Sequence, residues 1–358
     1  MCPIILRCLM QLYCNQKIRI DCNGSKSKIF SATNGVKQGG VLSPRLFNIY
    51  LNDLLIHLKS LGIGCHMNGQ FVGTFIYADD ITILAPTQSC LANMLHTCDR
   101  YASHHDLLFN PDKTKCMFFT LNNRLSHFPL NFKNVNLEFV KQCHLLGVYI
   151  STDILYRNIQ STIHTFYRKC NEVRLDFAMV SSEIKAKLIS IYCMDLYGSQ
   201  MWNFSDDNVQ SFYTAWRRVT RIVWNLPNRA HCNLLHTIND TMPIDCIVEK
   251  RCLKCIHSCI NSDNTIVKNI ALSSLDNCYS VIGQNYRYLS VKYNISHKKW
   301  LKPLSELLAC FYHYIGNEVI NLDNAYMVRE LTICRDNNSP FLLTNTEMSQ
   351  FIEYICTI

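Results

Sequence analysis

Two adjacent aspartates, Asp79 and Asp80, lie inside the run Thr74-Phe-Ile-Tyr-Ala-Asp-Asp-Ile-Thr-Ile-Leu84. Apolar and β-branched residues on both sides predict two short strands, with the aspartates at the tip of a hairpin. Two like charges held that close raise each other's pKa unless a cation neutralises them. Hard oxygen ligands at the edge of an apolar sheet suit Mg2+. Phosphoryl transfer uses a metal pair about 4 Å apart to stabilise the attacking and the leaving oxygen. A polar hairpin turn accounts for the same two residues without any chemistry, so the flanking sequence has to decide.

Upstream, residues 4–14 have the spacing of an amphipathic helix, and Lys17–Asp21 and Lys28–Thr33 alternate as two strands around the turn Asn23-Gly24-Ser25. The stretch Asn34-Gly-Val-Lys-Gln-Gly-Gly-Val-Leu-Ser-Pro44 follows. Ser43 is a suitable N-cap and Pro44 a suitable first helical residue. Phe47, Tyr50, Leu51, Leu54, Leu55 and Leu58 then keep helical spacing. Downstream, Leu91, Leu95, Cys98 and Ala102 mark a helix over 88–105. Asn110-Pro111-Asp112 is a turn, Lys115–Thr120 a strand, and 136–150 a hairpin around His144-Leu-Leu-Gly147. Beyond 152 the pattern is helical, over 153–178, 182–200, 207–225, 243–262 and several later segments. An α+β part is thus followed by a mostly α part.

With 48% hydrophobic and 17% charged residues, the chain of 358 can bury a substantial core and is no disordered tail. Its net charge of +8 is compatible with phosphate binding. The 20 cysteines are scattered singly. No secretory leader pattern opens the chain, and no apolar run reaches the ~18 residues a bilayer span needs. These features predict an intracellular, non-secreted, non-membrane protein with reduced thiols. Cys252-x2-Cys255 has zinc half-site spacing, near His257, Cys259, His231 and Cys232. Cys252, Cys255, Ile256 and Cys259 are also the i, i+3, i+4, i+7 stripe of a buried helix face, the preferred reading without a second CxxC. On the helix over 207–225, Phe212, Trp216, Val219 and Val223 share one face, and Arg217, Arg218 and Arg221 gather opposite. That stripe fits either a nucleic-acid backbone or a solvated face.

Four blocks agree in order and spacing with the sequence blocks of reverse transcriptases. Gly35-Val-Lys-Gln-Gly-Gly-Val-Leu-Ser-Pro-Arg-Leu-Phe47 resembles one, and Tyr77-Ala78-Asp79-Asp80 resembles the next. Asn110-Pro-Asp-Lys-Thr-Lys115 is similar to the third, and His144-Leu-Leu-Gly-Val-Tyr-Ile150 to the fourth, the primer grip. Leu46–Asp53, Ala215-Trp-Arg-Arg, Trp224-Asn-Leu-Pro and His231–Leu235 resemble the non-LTR retrotransposon branch.

The resemblance implies a partial polymerase palm over 1–150, a small antiparallel sheet with helices. It implies an all-α thumb over 151–225 and a helical C-terminal region over 226–358. The implied function is RNA-directed DNA polymerisation, with Mg2+ or Mn2+ as cofactor and an RNA template, a DNA primer and deoxynucleoside triphosphates as partners. Asp79 would be a metal ligand and Asp80 its less direct partner. Tyr77 would pack beside the primer end, and Gln38, Gly39 and Gly40 would lie against template and nucleotide. Lys113 would neutralise or protonate the leaving pyrophosphate. Leu146 and Gly147 would shape the hairpin that holds the primer, and the three arginines would follow the backbone.

Polymerases of this type need a further carboxylate from a block upstream of the Gln-Gly block, and the helix at 4–14 corresponds to the segment just after it. Asp21, at a strand end, and Asp53, in mid-helix, do not replace it. The expectation is therefore that this chain does not polymerise alone. The alternatives are a non-catalytic nucleic-acid-binding remnant and a decayed transposon reading frame.

Overall fold

The computed structural model describes residues 2–321 other than 15, 33–34, 38, 120–127, 153–158, 231 and 240. Gln38, His231, the end of the expected strand at Thr120, the start of the helix expected from 153, and the C-terminal region beyond 321 lie outside the described residues. The chain divides into two compact units, Met1–Phe139 and Val140–Ile358.

The first unit contains α1 (Pro3–Cys14), α2 (Ser43–Ser60) and α3 (Gln88–His104). Leu51, Leu54 and Leu58 of α2 interlock with Met94, Cys98 and Tyr101 of α3 as its main core. Thr87 caps α3 by accepting from Cys90 N. The hairpin Thr74–Tyr77/Asp80–Ile83 lies on this core through Ile76, Ile81 and Ile83. A second cluster gathers Leu95, Cys116, Leu130, Phe132 and Leu137, and Ile83 and Phe109 belong to both. The first helix, α1, buries none of its residues.

Strands in the described residues occur as two-stranded pairs, all antiparallel except Lys115–Cys116 with Glu138–Phe139. The expected small sheet is therefore divided, and the strand expected over 115–120 forms only at Lys115–Cys116, residues 117–119 not being strand. Interrupted ladders are one cause. Between Gln16–Ile18/Phe30–Ala32 and Asp21–Cys22/Ser25–Lys26, the Ser27 hydroxyl rather than a backbone carbonyl accepts from Ile20 N.

The second unit opens with the hairpin Gln142–Leu145/Val148–Ser151 and is otherwise helical. Its helices are α4 (Ile159–Asp176), α5 (Ser182–Leu188), α6 (Asp207–Val223), α7 (Cys232–Ile238), α8 (Ile244–Ile260), α9 (Thr265–Asp276), α10 (Val281–Lys292), α11 (His297–Trp300) and α12 (Leu304–Asn321). Phe212, Trp216, Val219 and Val223 of α6 are buried, as their spacing predicts. Cys252 and Ile256 face the core from α8, while Cys259 packs against it.

One expected helix fails. The segment 182–200 ends as α5, passes through a π-helical turn at Ile189–Cys193, leaves helical conformation over 194–198, and resumes as a 3-10 turn at Ser199–Met201. The run ends at Met194 (φ −80°, ψ 70°), and Gly198, immediately before the 3-10 turn, has φ of 78°, a left-handed conformation that costs glycine little.

Glu249, 2% exposed on α8, is satisfied by Lys292 Nζ at 2.9 Å, Tyr288 hydroxyl at 3.0 Å and the Tyr293 hydroxyl. Burial pushes its carboxyl up from the ordinary range despite these partners, and the carboxylate holds the Lys292 ammonium up. Among the described residues no helix is long and apolar enough to cross a membrane.

Candidate active site

The Asp-Asp hairpin has the register Thr74↔Ile83, Phe75↔Thr82, Ile76↔Ile81 and Tyr77↔Asp80, leaving Ala78-Asp79 as its two-residue turn. Alternation sends Ile76, Ile81 and Ile83 inward and Phe75, Tyr77, Asp80 and Thr82 to the other face. That outer face is open: Phe75 is 45% and Tyr77 67% exposed, and both carboxylates are exposed. Asp79 is in the turn and Asp80 in the strand, so the two carboxylates are not equivalent in position.

The turn is strained. Ala78 has φ of 50°, in the left-handed region that a Cβ disfavours. Of the described non-glycine residues there, six are Asn or Asp; the others are Ala78, Lys133 and Leu146. Ala78 and Leu146 thus occupy matching positions in the two hairpins singled out by sequence. Strain held at such points fixes the direction of neighbouring side chains.

Lys113 is exposed in a turn built by Asn110, whose Oδ1 accepts from Asp112 N at 3.0 Å and Lys113 N at 3.3 Å. The turn leads into Lys115–Cys116, whose Cys116 packs with Leu95 of α3. The Asp-Asp hairpin and the Lys113 turn are thereby seated on the same helix.

The glycine loop precedes α2. Gly39 has φ of 78°. Gly40 is close-packed: a Cβ there would lie 2.5 Å from Ser43 Oγ. Contrary to the sequence expectation, the Ser43 hydroxyl does not cap α2. It donates to Lys37 O at 2.6 Å and meets the Tyr13 hydroxyl at 3.3 Å. The reason is local: Leu42, preceding the helix, is itself helical (φ −88°, ψ −18°), which turns Ser43 back onto the loop. Gln38 lies outside the described residues.

In the second unit, Leu146 (φ 49°) and Gly147 (φ 76°) form the tip of the other hairpin. Arg218 is exposed and Arg217 half-buried on α6. Arg221 is committed elsewhere: it donates to Ala230 O at 2.9 and 3.1 Å and to Cys232 Sγ at 3.2 Å, fastening the chain after α6. Of the zinc candidates, Cys252 is core, His257 hydrogen-bonds Lys302 O, and Cys255 is hydrogen-bonded to Cys259, which pushes Cys255 up and Cys259 down. Sequence reasoning missed Ser43's role in the glycine loop and Tyr197, which contacts the Leu146–Gly147 turn. Asp195 and Gly198, turn residues inside an apparent helix, were the signal that could have exposed the second.

Residues 2–150 match the sequence model of the family described as reverse transcriptase (RNA-dependent DNA polymerase). They belong to that family. The match covers all four blocks, and the domain is of the non-LTR retrotransposon type. The chain is 30% identical over 105 residues to the "Retrovirus-related Pol polyprotein from type-1 retrotransposable element R2" of Nasonia vitripennis, covering 29% of this chain and 10% of that protein. Another protein of that name, from Popillia japonica, is 36% identical over 81 residues, 22% of this chain and 13% of its own length. The "Probable RNA-directed DNA polymerase from transposon BS" of Drosophila melanogaster is 26% identical over 218 residues, 56% of this chain and 23% of that protein. The chain thus spans between 10% and 23% of the length of these relatives.

A reverse transcriptase implies a divalent metal. Two exposed carboxylates fit the partial protein ligand set that Mg2+ takes when waters and substrate phosphates complete it. Among the described residues no group of three or more His, Cys, Asp or Glu comes together to hold a metal.

Proposed function

We propose that residues 2–150 are a palm portion of an RNA-directed DNA polymerase of the non-LTR type, with Asp79 and Asp80 as its contribution to a Mg2+ or Mn2+ site. The observation that carries the reading is the open outer face of the hairpin. Tyr77 and Asp80 stand on it side by side, at a turn strained by Ala78, within a sequence that matches the family. The metal supplies charge neutralisation at the transferring phosphate.

The chain's own residues do the rest. Asp79 and Asp80 place negative charge at the hairpin tip. Tyr77 offers an exposed ring for the last primer base pair. Lys113, on its fixed turn, faces the developing charge of the leaving pyrophosphate. Gln38, Gly39 and Gly40 lie against template and nucleotide, where a glycine lets the backbone come close. Leu146 and Gly147 hold the primer strand, and Arg217 and Arg218 track the phosphate backbone from a thumb over 151–225, ahead of the C-terminal region over 226–358. Arg221 supports the loop instead.

The test is binding of a DNA primer annealed to an RNA template, in Mg2+, with the next matched or mismatched deoxynucleoside triphosphate. The matched nucleotide should tighten the complex, and Asp79→Asn should abolish that discrimination while leaving nucleotide-free, salt-dependent binding intact. Discrimination that survives Asp79→Asn contradicts the reading. Salt-dependent binding with no nucleotide response in the unaltered chain favours the non-catalytic alternative.

A further inference from the structure

The break in the expected 182–200 helix falls where the second unit needs it. Residues 194–198 leave helical geometry between the π-helical turn and the Ser199–Met201 turn. Short π-helical segments concentrate at functional positions because they carry a local cost. Here the departing segment meets the tip of the Gln142–Ser151 hairpin. The Tyr197 hydroxyl donates to Leu146 O at 2.9 Å. Its ring lies over Gly147, where an added Cβ would come within 3.0 Å of Tyr197 Cε1. The next residue, Gly198, lies against Val148, whose Cγ2 would be 3.3 Å from a Cβ at 198. Three consecutive hairpin residues are therefore met by two consecutive residues about fifty positions later in the chain.

The clasp is itself anchored. Leu196 is buried in the core of the unit. Asp195 accepts from Tyr197 N at 3.2 Å and lies 3.9 Å from Lys169 of α4. Tyr197 remains 63% exposed, so its ring borders solvent beside the tip it holds. A tyrosine can rest its ring on the fold and still use its hydroxyl for a hydrogen bond. This one spends its polar end on a strained carbonyl-bearing residue, Leu146, and leaves a face open.

We infer that Tyr197 is a positioning residue of the primer-holding hairpin: it locks the left-handed Leu146-Gly147 tip in the one orientation that receives the primer strand. This rests on the reading of that hairpin given above.

The test uses the full chain, a fluorescein-labelled DNA primer on an RNA template, and amide exchange of the peptide 142–151. Tyr197→Phe keeps the ring and removes only the bond to Leu146 O. It should speed exchange of the hairpin and weaken primer–template affinity, each by about threefold to tenfold, the range one hydrogen bond covers. Ile256→Val, a core change in the same unit, should lower stability without moving the affinity; a merely structural Tyr197 would behave like it. Unchanged affinity in Tyr197→Phe, with the unaltered chain binding normally, overturns the inference and leaves the polymerase reading standing. No primer–template binding by the unaltered chain overturns that reading, and the inference with it.

Discussion

At the scale of single residues, the two turn tips carry the argument. Ala78 holds a left-handed φ that glycine would adopt without a Cβ penalty, and its methyl is exposed, so replacing it loses little packing. Ala78→Gly should slow amide exchange across Thr74–Ile83 by about threefold to fivefold, or about 0.5–1 kcal/mol, after glycine's extra chain entropy is offset. Faster or unchanged exchange would show that the turn stores no strain. This feature was only half legible. The pair Asp79-Asp80 between apolar runs announces a hairpin tip, but nothing in the letter sequence says that alanine sits at positive φ; that follows from the two-residue register. Ser43 shows the same limit. Its type and position read as an N-cap, yet a helical Leu42 redirects its hydroxyl to Lys37 O.

At the scale of elements, apolar spacing placed α2, α3, α6 and α8 close to where they are, because each has one face committed to a core. Spacing could not find the break at 189–198, since the buried positions Ile189, Cys193 and Leu196 still mimic a helix. Nor could it find the Glu249–Lys292 pair, which joins α8 to α10 across a long sequence separation. That pair has a worked pH signature. Glu249's folded pKa is raised by burial, so its contribution is full below the ordinary carboxylate range and is lost as pH rises through the raised value. Lys292 is the cation that opposes this loss. Lys292→Met should therefore cost about 3–5 kcal/mol near neutral pH and less at about pH 4, where the carboxyl is protonated. The double change Glu249→Leu with Lys292→Met should recover only part of that loss, because the Tyr288 and Tyr293 hydroxyls lose their acceptor. All 4 tryptophans lie in the second unit, so urea unfolding followed by tryptophan fluorescence reports it directly. A penalty that is flat with pH would contradict the assignment.

At the scale of the molecule, the chain is two units whose boundary at 139/140 places the Leu146–Gly147 hairpin with the helices rather than with the Asp-Asp hairpin. The sequence blocks run through both, because block order follows the chain while compactness follows packing. The helical region after α8 carries no block, and its packing around Trp300 and Phe311 became visible only in three dimensions. The central claim is that the exposed tip of the first unit holds a divalent metal through Asp79 and Asp80. Iron(II) can stand in for Mg2+ and, with ascorbate and peroxide, cuts the backbone beside its ligands. With primer–template and matched nucleotide present, the full chain should be cut within residues 76–82. Excess Mg2+ should suppress the cut, and Asp79→Asn should abolish it. Cutting that persists in Asp79→Asn, or that never occurs at this hairpin, would contradict the account.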